Sequence, residues 1–393
     1  MLRTRHLALA VLLAALPCLA LSQTSSSSSA YSPPFPRLAG IDIGGPFNYN
    51  DPSYQAALAK ENLVILTDYP GLAPGGESMD SIIKSIKALN PKTLVFLYTI
   101  DNWINPSDAA YAPLIQKLDS MGWWLYPVDK GGTPISGGGN LQVINNTMDT
   151  ARDSSGEDSV DWLAHYFVST IYQPNSSADG LFMDNMFWQP TVNGDWTLGG
   201  ANLSNASAQA GAALRDGYQR YIQDLRKLMP GKLQIGNIAT WGQPQAVLTQ
   251  YQGLLDGGVM EGLIGASYSV ESYGGWQAMM AYYQKSMAAL DNDQLGIFGQ
   301  EGSPTDYQSM RYGLASCLMG NAYYNFSDQS AEYHGVVWFD EFNANLGQAI
   351  SPPPTAAWQK GVWRRDFQNG IALVNPKGNG TQTVTLETSY VKL

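Results

Sequence analysis

The stretch Asp179-Gly-Leu-Phe-Met-Asp-Asn185 decides how this chain is expected to fold. Its apolar centre, Leu181 to Met183, has the continuous hydrophobicity of a strand that is buried on both faces, and it ends abruptly at Asp184. A carboxylate at the end of a buried strand is costly unless the fold uses it. In a barrel of parallel strands, the carboxyl ends of the strands form the functional face. The stretch therefore predicts one barrel strand with Asp184 at its functional end.

Short apolar runs alternate with segments of helical periodicity along most of the chain, as expected for repeated βα units. The predicted strands are Leu38–Ile43, Leu63–Thr67, Thr93–Thr99, Gly180–Asp184, Leu233–Ile238, Val259–Ile264, Leu295–Gln300 and Ala322–Phe326. The predicted helices are Ser78–Leu89, Asp161–Tyr172, Ala208–Leu228, Trp276–Leu290 and Tyr307–Met319. Eight such strands predict an α/β fold, a closed (β/α)8 TIM barrel with a small C-terminal β appendage. A doubly wound open sheet is the runner-up, but no Gly-x-Gly-x-x-Gly motif follows the first strand to support it.

Composition divides the 393 residues into four parts. Residues 1–22 have the basic start, apolar centre and small-residue end of a secretory signal peptide, so we expect a secreted protein, extracellular or periplasmic. The Ser- and Pro-rich residues 23–36 predict a flexible linker, residues 37–347 the barrel, and residues 348–393 a small β region.

Two stretches are predicted to form additional strands. Gly122–Thr147 has a Gly-rich turn between two apolar limbs and predicts a β-hairpin inserted at the barrel rim, where long loops shape binding clefts. Near the C-terminus, Gly370–Asn375 and Thr381–Leu386 are predicted strands joined by a Lys-Gly-Asn-Gly turn.

The bulk charge excludes several classes of partner. The formal net charge is −11 and no basic cluster occurs, which argues against nucleic acid and anionic membranes. Only 14% of the residues are charged, whereas Trp, Tyr, Asn and Gly are abundant, a balance that suits neutral hydroxylated ligands. Removal of the signal peptide would leave Cys317 as the single cysteine, in an apolar run typical of a core residue. Without a His-x-x-x-His motif or a Cys cluster, no metal and no cofactor is predicted.

Polar side chains end nearly every predicted strand, and in a barrel these ends share one rim. Two carboxylates that face each other across a sugar can cleave a glycosidic bond, because one protonates the leaving oxygen while the other attacks or activates water. Asp184 and Glu261, on strands two positions apart, are the predicted catalytic pair. Aromatic rings can cover the flat faces of sugars. The predicted substrate-binding residues are Asp42, Asp68, Trp103, Asn185, Trp188, Asn237, Trp241, Tyr268 and Glu301.

Several motifs, in this order and spacing, resemble those of known (β/α)8 glycosidases. They are Asp179–Asn185, Met260-Glu-Gly262, Arg311–Ala315, Asn321–Asn325 and Trp363–Gly370. The chain resembles the hypothetical glycoside hydrolase family 15 group, is similar to endo-α-1,4-polygalactosaminidases, and is more distantly similar to α-galactosidase-like barrels. The resemblance implies that Asp184 is the nucleophile or base and Glu261 the acid, and it favours α-linked substrates.

The sequence thus predicts a secreted glycoside hydrolase that acts on oligo- or polysaccharides. Two alternatives stay open: a non-catalytic carbohydrate-binding barrel, and a non-hydrolytic enzyme such as a transglycosylase or lyase. The distance between the two carboxyl groups distinguishes the first alternative, because a gap well beyond about 9.5 Å would argue against catalysis.

Overall fold

The computed structural model describes residues 32–391, except 45–47, 69–76, 129–131, 187–195, 199–200, 204–206, 239–250, 252, 267, 291–294, 332 and 334. Within it, eight parallel strands form one sheet in the order in which they occur along the chain. They are β1 (Ala39–Asp42), β2 (Leu63–Leu66), β3 (Leu94–Ile100), β4 (Gly180–Asp184), β5 (Leu233–Gly236), β6 (Gly257–Ile264), β7 (Leu295–Gly302) and β8 (Tyr323–Asp328). The described α-helices are α1 (Pro52–Leu58), α2 (Met79–Leu89), α3 (Ala112–Met121), α4 (Ser159–Phe167), α5 (Ala208–Leu228), α6 (Val270–Met287) and α7 (Tyr307–Leu318).

The sheet closes on itself between β1 and β8. Leu38 forms a parallel bridge with Tyr324, whose backbone N–H donates to the Arg37 carbonyl at 2.8 Å. The amide Nδ2 of Asn325 donates to the Ala39 carbonyl at 3.0 Å. The predicted (β/α)8 barrel is therefore confirmed, and the open-sheet alternative is wrong.

The strands separate two apolar layers. Alternate residues fill the barrel interior, among them Phe96, Phe182, Ile235 and Ile297. The residues between them face the surrounding helices and belong to a larger outer core. Because both faces of each strand are covered, the strand sequences are continuous apolar runs and do not alternate between apolar and polar residues.

The insertion after β3 forms a three-stranded sheet. Leu141–Val143 pairs in antiparallel fashion with Ser136–Gly138 on one side and with Trp103–Ile104 on the other. The predicted hairpin is confirmed in part, because its first apolar limb contributes only a single bridge, between Trp124 and Ile144.

The C-terminal strands pair differently from the prediction. Gly370–Val374 is a strand, but its antiparallel partner is Trp363–Phe367, and Thr381–Leu386 forms no strand. Because Phe367 pairs with Gly370, the turn between the strands has only two residues. Trp363–Phe367 is therefore the nearest segment with which Gly370–Val374 can pair.

The chain before β1 is packed where the structure describes it. Phe35 is only 2% exposed, its ring lies 5.1 Å from that of Phe367, and its backbone N–H donates to the Gly347 carbonyl. The predicted flexible linker 23–36 therefore does not extend to its last residues. The predicted signal peptide, residues 1–22, lies outside the described residues. Among the described helices, none is both long and apolar enough to cross a membrane.

Candidate active site

Four predicted site residues lie together at the carboxyl ends of neighbouring strands. Asp184 ends β4, Asn237 follows β5, and Glu261 and Glu301 lie in the C-terminal halves of β6 and β7. All four are in positions that point into the barrel, as are Phe182, Ile235, Val259 and Ile297 two or four residues earlier. All four line one cavity at the barrel mouth, which Tyr333 also lines. The strand order therefore brings residues 117 positions apart in sequence into one site.

Asn237 holds the two predicted catalytic carboxylates together. Its Nδ2 donates to Oδ1 of Asp184 at 3.0 Å and to Oε2 of Glu261 at 3.0 Å. Because both acceptor oxygens are bonded to one nitrogen, they are at most about 6 Å apart. The separation is thus far below the range that would argue against catalysis.

Asp184 accepts three hydrogen bonds. Besides that of Asn237, they come from the Tyr98 hydroxyl at 2.9 Å and from the Asn185 backbone N–H at 2.9 Å. Burial raises the pKa of Asp184, and the three hydrogen bonds act in the opposite direction by stabilising the ionised form. The three donors therefore favour the ionised carboxylate form of Asp184.

Glu261 lines the mouth cavity and is exposed to solvent there. Its pKa is raised, first because the surrounding protein removes water from the carboxyl, and further because Asp184 and Glu301 are negatively charged. Hydrogen bonds from Asn237 and from the Tyr333 hydroxyl, the latter at 3.1 Å, partly oppose the rise in pKa. A raised pKa lets Glu261 keep its proton to higher pH, as a general acid must.

A β-bulge in β6 shapes the backbone around Glu261. The pairing of β6 with β7 breaks register between Met260 and Ile264, and Gly262 has φ of 55°. A Cβ on Gly262 would lie 2.5 Å from the Tyr268 ring, so the ring rests directly on this glycine. Bulges re-aim side chains beside active sites. Here the bulge leaves Glu261 pointing inward and opens a place for Tyr268.

Tyr268 lies over the rim with one side open to solvent. It is 54% exposed, and its hydroxyl donates to Oε1 of Glu301 at 2.7 Å. This hydrogen bond fixes the ring while leaving apolar surface available at the edge of the mouth. The role of Tyr268 in substrate binding stays a prediction.

Asp42 and Asp68, two predicted substrate-binding residues, do not line the mouth cavity. Asp42 lies between the inward-facing Ile41 and Ile43, so it faces the helical layer, where it is 1% exposed and accepts a hydrogen bond from the Tyr54 hydroxyl. Asp68 accepts a hydrogen bond from Asn175, in the segment after α4. For Asp42 the reason is the two-residue period of the strand, which turns its side chain towards the helices. Asp68 lies beyond the end of β2, and its role in substrate binding stays a prediction.

Two further predicted residues make contacts within the protein, and their substrate-binding roles stay predictions. Trp103 packs with the apolar cluster of the insertion, and the Gly137 backbone lies against its ring. Asn185, with φ of 56°, contributes its backbone to the site: its N–H binds Asp184 and its carbonyl accepts a hydrogen bond from Asn102 Nδ2 at 2.9 Å. Trp188 and Trp241 lie outside the described residues.

The sequence reading missed Tyr98 and Tyr333. Tyr98 pairs with Phe182 in the β3–β4 register and is an inward residue of a largely apolar strand. The two-residue spacing from Phe96 could have indicated this direction. Tyr333 follows β8 in an irregular segment, and no local pattern marks it. Within the described ranges, no group of three or more His, Cys, Asp or Glu side chains could hold a metal ion.

Comparisons with known proteins agree with this architecture. The model of a family described as hypothetical glycosyl hydrolase family 15 matches residues 136–371. No curated protein sequence matches the chain.

Solved structures resemble it at low identity. The glycoside hydrolase domain of PelA from Pseudomonas aeruginosa is 14% identical with a TM-score of 0.48, over 76% of this chain and 98% of that chain. An alpha-amylase from Geobacillus thermoleovorans, complexed with acarbose, is 9% identical with a TM-score of 0.44, over 77% of this chain and 74% of that chain. With TM-scores below 0.5, these likenesses bear on neither substrate nor residue roles.

Proposed function

Because the chain belongs to hypothetical glycosyl hydrolase family 15 and is a glycoside hydrolase, we propose that it is a retaining enzyme with Asp184 as nucleophile and Glu261 as acid and base. The observation that supports this assignment is the single amide nitrogen of Asn237 bonded to both carboxylates. Retaining glycosidases have carboxyl groups about 5–5.5 Å apart, and inverting ones about 6.5–9.5 Å. The limit of about 6 Å between the two bonded oxygens favours the retaining class.

The proposed reaction has two steps. Glu261 transfers its proton to the glycosidic oxygen as Asp184 attacks the anomeric carbon, so the leaving sugar departs and a covalent glycosyl-enzyme forms. Glu261, now ionised, takes a proton from water, which attacks the same carbon and releases Asp184. The environments suit these roles, since Asp184 accepts three hydrogen bonds and Glu261 lies beside two other carboxylates.

The charge of the mouth favours uncharged or cationic sugars over acidic ones. Asp184, Glu261 and Glu301 line it, and no cationic side chain is among the residues lining its described part. A uronate or sulfate group would meet three carboxylates and no counter-charge. We therefore propose an oligo- or polysaccharide substrate without acidic groups, with the α-linkage favoured by the family resemblance.

We also propose that the protein is secreted, because residues 1–22 have the pattern of a signal peptide. Amino-terminal sequencing of the protein recovered from the culture medium or periplasm would test this. A mature chain that still began at Met1 would contradict the proposal.

The test of the proposed function is a screen of α-linked oligosaccharides with the wild type, Asp184→Asn and Glu261→Gln. Loss of either carboxylate should reduce kcat by at least about 100-fold, since general acid–base catalysis alone contributes about 10²–10⁴-fold. Thermal midpoints should change little, because each substitution keeps the shape of the side chain. Proton NMR of the first product should show the anomeric configuration of the substrate.

Asp42→Asn is the matched control, since Asp42 is another aspartate at the end of a barrel strand but faces the helices. It should hydrolyse the substrate at nearly the wild-type rate. Full activity in Asp184→Asn or Glu261→Gln would refute the assignment. Glycan binding without turnover would instead favour the carbohydrate-binding alternative, and transfer products without hydrolysis would favour a transglycosylase.

A further inference from the structure

Tyr333 occupies the side of Glu261 that faces away from Asn237. Its hydroxyl lies 3.1 Å from Oε1, whereas Asn237 binds Oε2. Each oxygen of the carboxyl thus has its own donor, one from the segment after β8 and one from the end of β5. Two donors on two oxygens fix the plane of a carboxyl group, which a single hydrogen bond does not.

The backbone of Tyr333 is held in an unusual conformation. Its φ of 63° lies in the left-handed region, which a bulky side chain rarely adopts unless the surrounding structure enforces it. The Gly44 N–H donates to its carbonyl at 3.2 Å, and its ring packs on the apolar interior of the barrel together with Ile43. The strained backbone and the packed ring together aim the hydroxyl at Glu261.

We propose that Tyr333 is a positioning residue for the general acid, holding the Glu261 carboxyl in the plane from which it delivers its proton to the leaving oxygen. The inference rests on the proposed role of Glu261. Oε2 accepts the Asn237 N–H and Oε1 accepts the Tyr333 O–H, so the two donors orient the carboxyl whichever oxygen carries the transferable proton. Tyr333 itself transfers no proton.

The groups around Glu261 determine in which direction its pKa changes when the Tyr333 hydroxyl is removed. Asp184 on β4 and Glu301 on β7 are the anions that face it, and Tyr268 and Tyr333 are the neighbouring phenols. Burial and the nearby Glu261 raise the pKa of Tyr333 well above its usual value, so its hydroxyl stays protonated and donates. That hydrogen bond lowers the pKa of Glu261, and its removal should therefore raise the pKa of Glu261.

The first experiment titrates the Glu261 carboxyl by ¹³C NMR in protein labelled at glutamate Cδ, with the resonance assigned by its absence in Glu261→Gln. In Tyr333→Phe the midpoint should move to higher pH. Tyr54→Phe is the matched control, because it removes a hydroxyl that binds a carboxylate outside the barrel, and it should leave the midpoint unchanged. An unshifted midpoint in folded Tyr333→Phe overturns the inference, whether or not a substrate is known.

The second experiment compares two substrates of the sugar identified by the α-linked panel. On the unactivated oligosaccharide, Tyr333→Phe should lower kcat/KM by about three- to ten-fold, the value of one hydrogen bond. It should also move the alkaline limb of kcat/KM to higher pH, since Glu261 stays protonated longer. The 4-nitrophenyl glycoside, whose leaving group needs no proton, should retain its kcat/KM, because this parameter reports only the first step, in which the leaving group departs. Equal losses on both substrates would overturn the inference.

Tyr333→Gly provides a second variant should the phenylalanine variant fold poorly, because glycine adopts the left-handed conformation without strain. It should show the same upward shift of the Glu261 midpoint. If Glu261→Gln hydrolyses the oligosaccharide normally, the proposed function fails. If Glu261→Gln is inactive but Tyr333→Phe matches the wild type in both experiments, only the role of Tyr333 fails.

Discussion

Asn237 illustrates how one neutral residue can control two ionisable ones. Both N–H groups of its amide are used, one on Asp184 and one on Glu261, and each bond favours the ionised form of its acceptor. The residue is 4% exposed and its own N–H and carbonyl pair with Met183 and Met186, so its position is fixed by the backbone of the barrel. Its role is therefore electrostatic as well as geometric.

Replacing Asn237 by Ala should move the whole pH profile of kcat/KM to higher pH. Loss of the amide raises the pKa of Asp184, so the acidic limb moves up, and it raises the pKa of Glu261, so the alkaline limb moves up as well. The measurement is kcat/KM on one oligosaccharide across the pH range. Asn175→Ala removes an amide that binds Asp68 outside the mouth and should leave both limbs in place. Limbs that stayed fixed in Asn237→Ala would contradict this role.

At the scale of the element, the bulge in β6 depends on a glycine that no other residue replaces easily. Gly262 combines a positive φ with the Tyr268 ring packed where a Cβ would be. Strand β6 therefore could not continue regularly past Glu261 without displacing Tyr268 and its hydrogen bond to Glu301. The bulge couples the direction of the acid to the aromatic surface at the rim.

Gly262→Ala should reduce activity more than it reduces stability. The left-handed φ costs roughly 1 kcal/mol with alanine, and the added methyl must push Tyr268 away from the rim, which should raise KM. Gly253→Ala separates the two effects, because Gly253 has φ of 79° but nothing within 4 Å of its Cβ position. Both variants should lose similar thermal stability, and only Gly262→Ala should bind substrate more weakly. Equal KM values in the two variants would refute the coupling.

The elements were predictable from the sequence to a greater extent than the site. Buried parallel strands are apolar on both faces, so the runs at Leu63 and Leu295 stand out without any knowledge of their neighbours. Because both faces of a strand are apolar, the sequence does not show which residues point into the barrel. Asp42 and Glu261 look alike as acids in apolar strands, yet one faces α1 and the other the barrel mouth.

The positions of the other residues could not be predicted, because they depend on contacts between distant parts of the chain. Tyr333 reaches Glu261 only because β8 lies two strands from β6, and no local pattern encodes that reach. Trp103 follows a strand, as a sugar-binding aromatic would, but the insertion folds back over it. Thr381–Leu386 has strand-like composition, but the closer Trp363–Phe367 occupies the pairing edge.

At the scale of the whole molecule, the segments before β1 and after β8 are joined at one place. Arg365, 2% exposed in the C-terminal hairpin, donates to the Leu318 carbonyl at 3.1 Å and to Asn321 Oδ1 at 2.6 Å. Arg37 donates to the Asn321 carbonyl at 3.0 Å and lies over the Phe35 ring. The turn between α7 and β8 thus holds both segments against the barrel.

Arg365→Lys should lower the free energy of unfolding by roughly 2–4 kcal/mol, since a lysine cannot reproduce the fork of donors and leaves buried carbonyls unpaired. The adjacent Arg364→Lys is the control, because Arg364 pairs with the exposed carboxylate of Glu387 and should cost less than about 1 kcal/mol. Chemical denaturation measures both. KM should be unchanged in the two variants. A similar loss of stability in both would show that Arg365 does not fasten the chain ends.

The seam between β1 and β8 also imposes an order on folding. The residues joined by the Asn325–Ala39 hydrogen bond are 286 positions apart. Nearly the whole barrel must therefore leave the ribosome before β1 can pair with β8. Until then β1 presents a free edge of unpaired backbone groups, which is the surface on which partly made chains associate with one another. The yield of active enzyme should therefore depend on how quickly translation passes from β7 to the C-terminal hairpin.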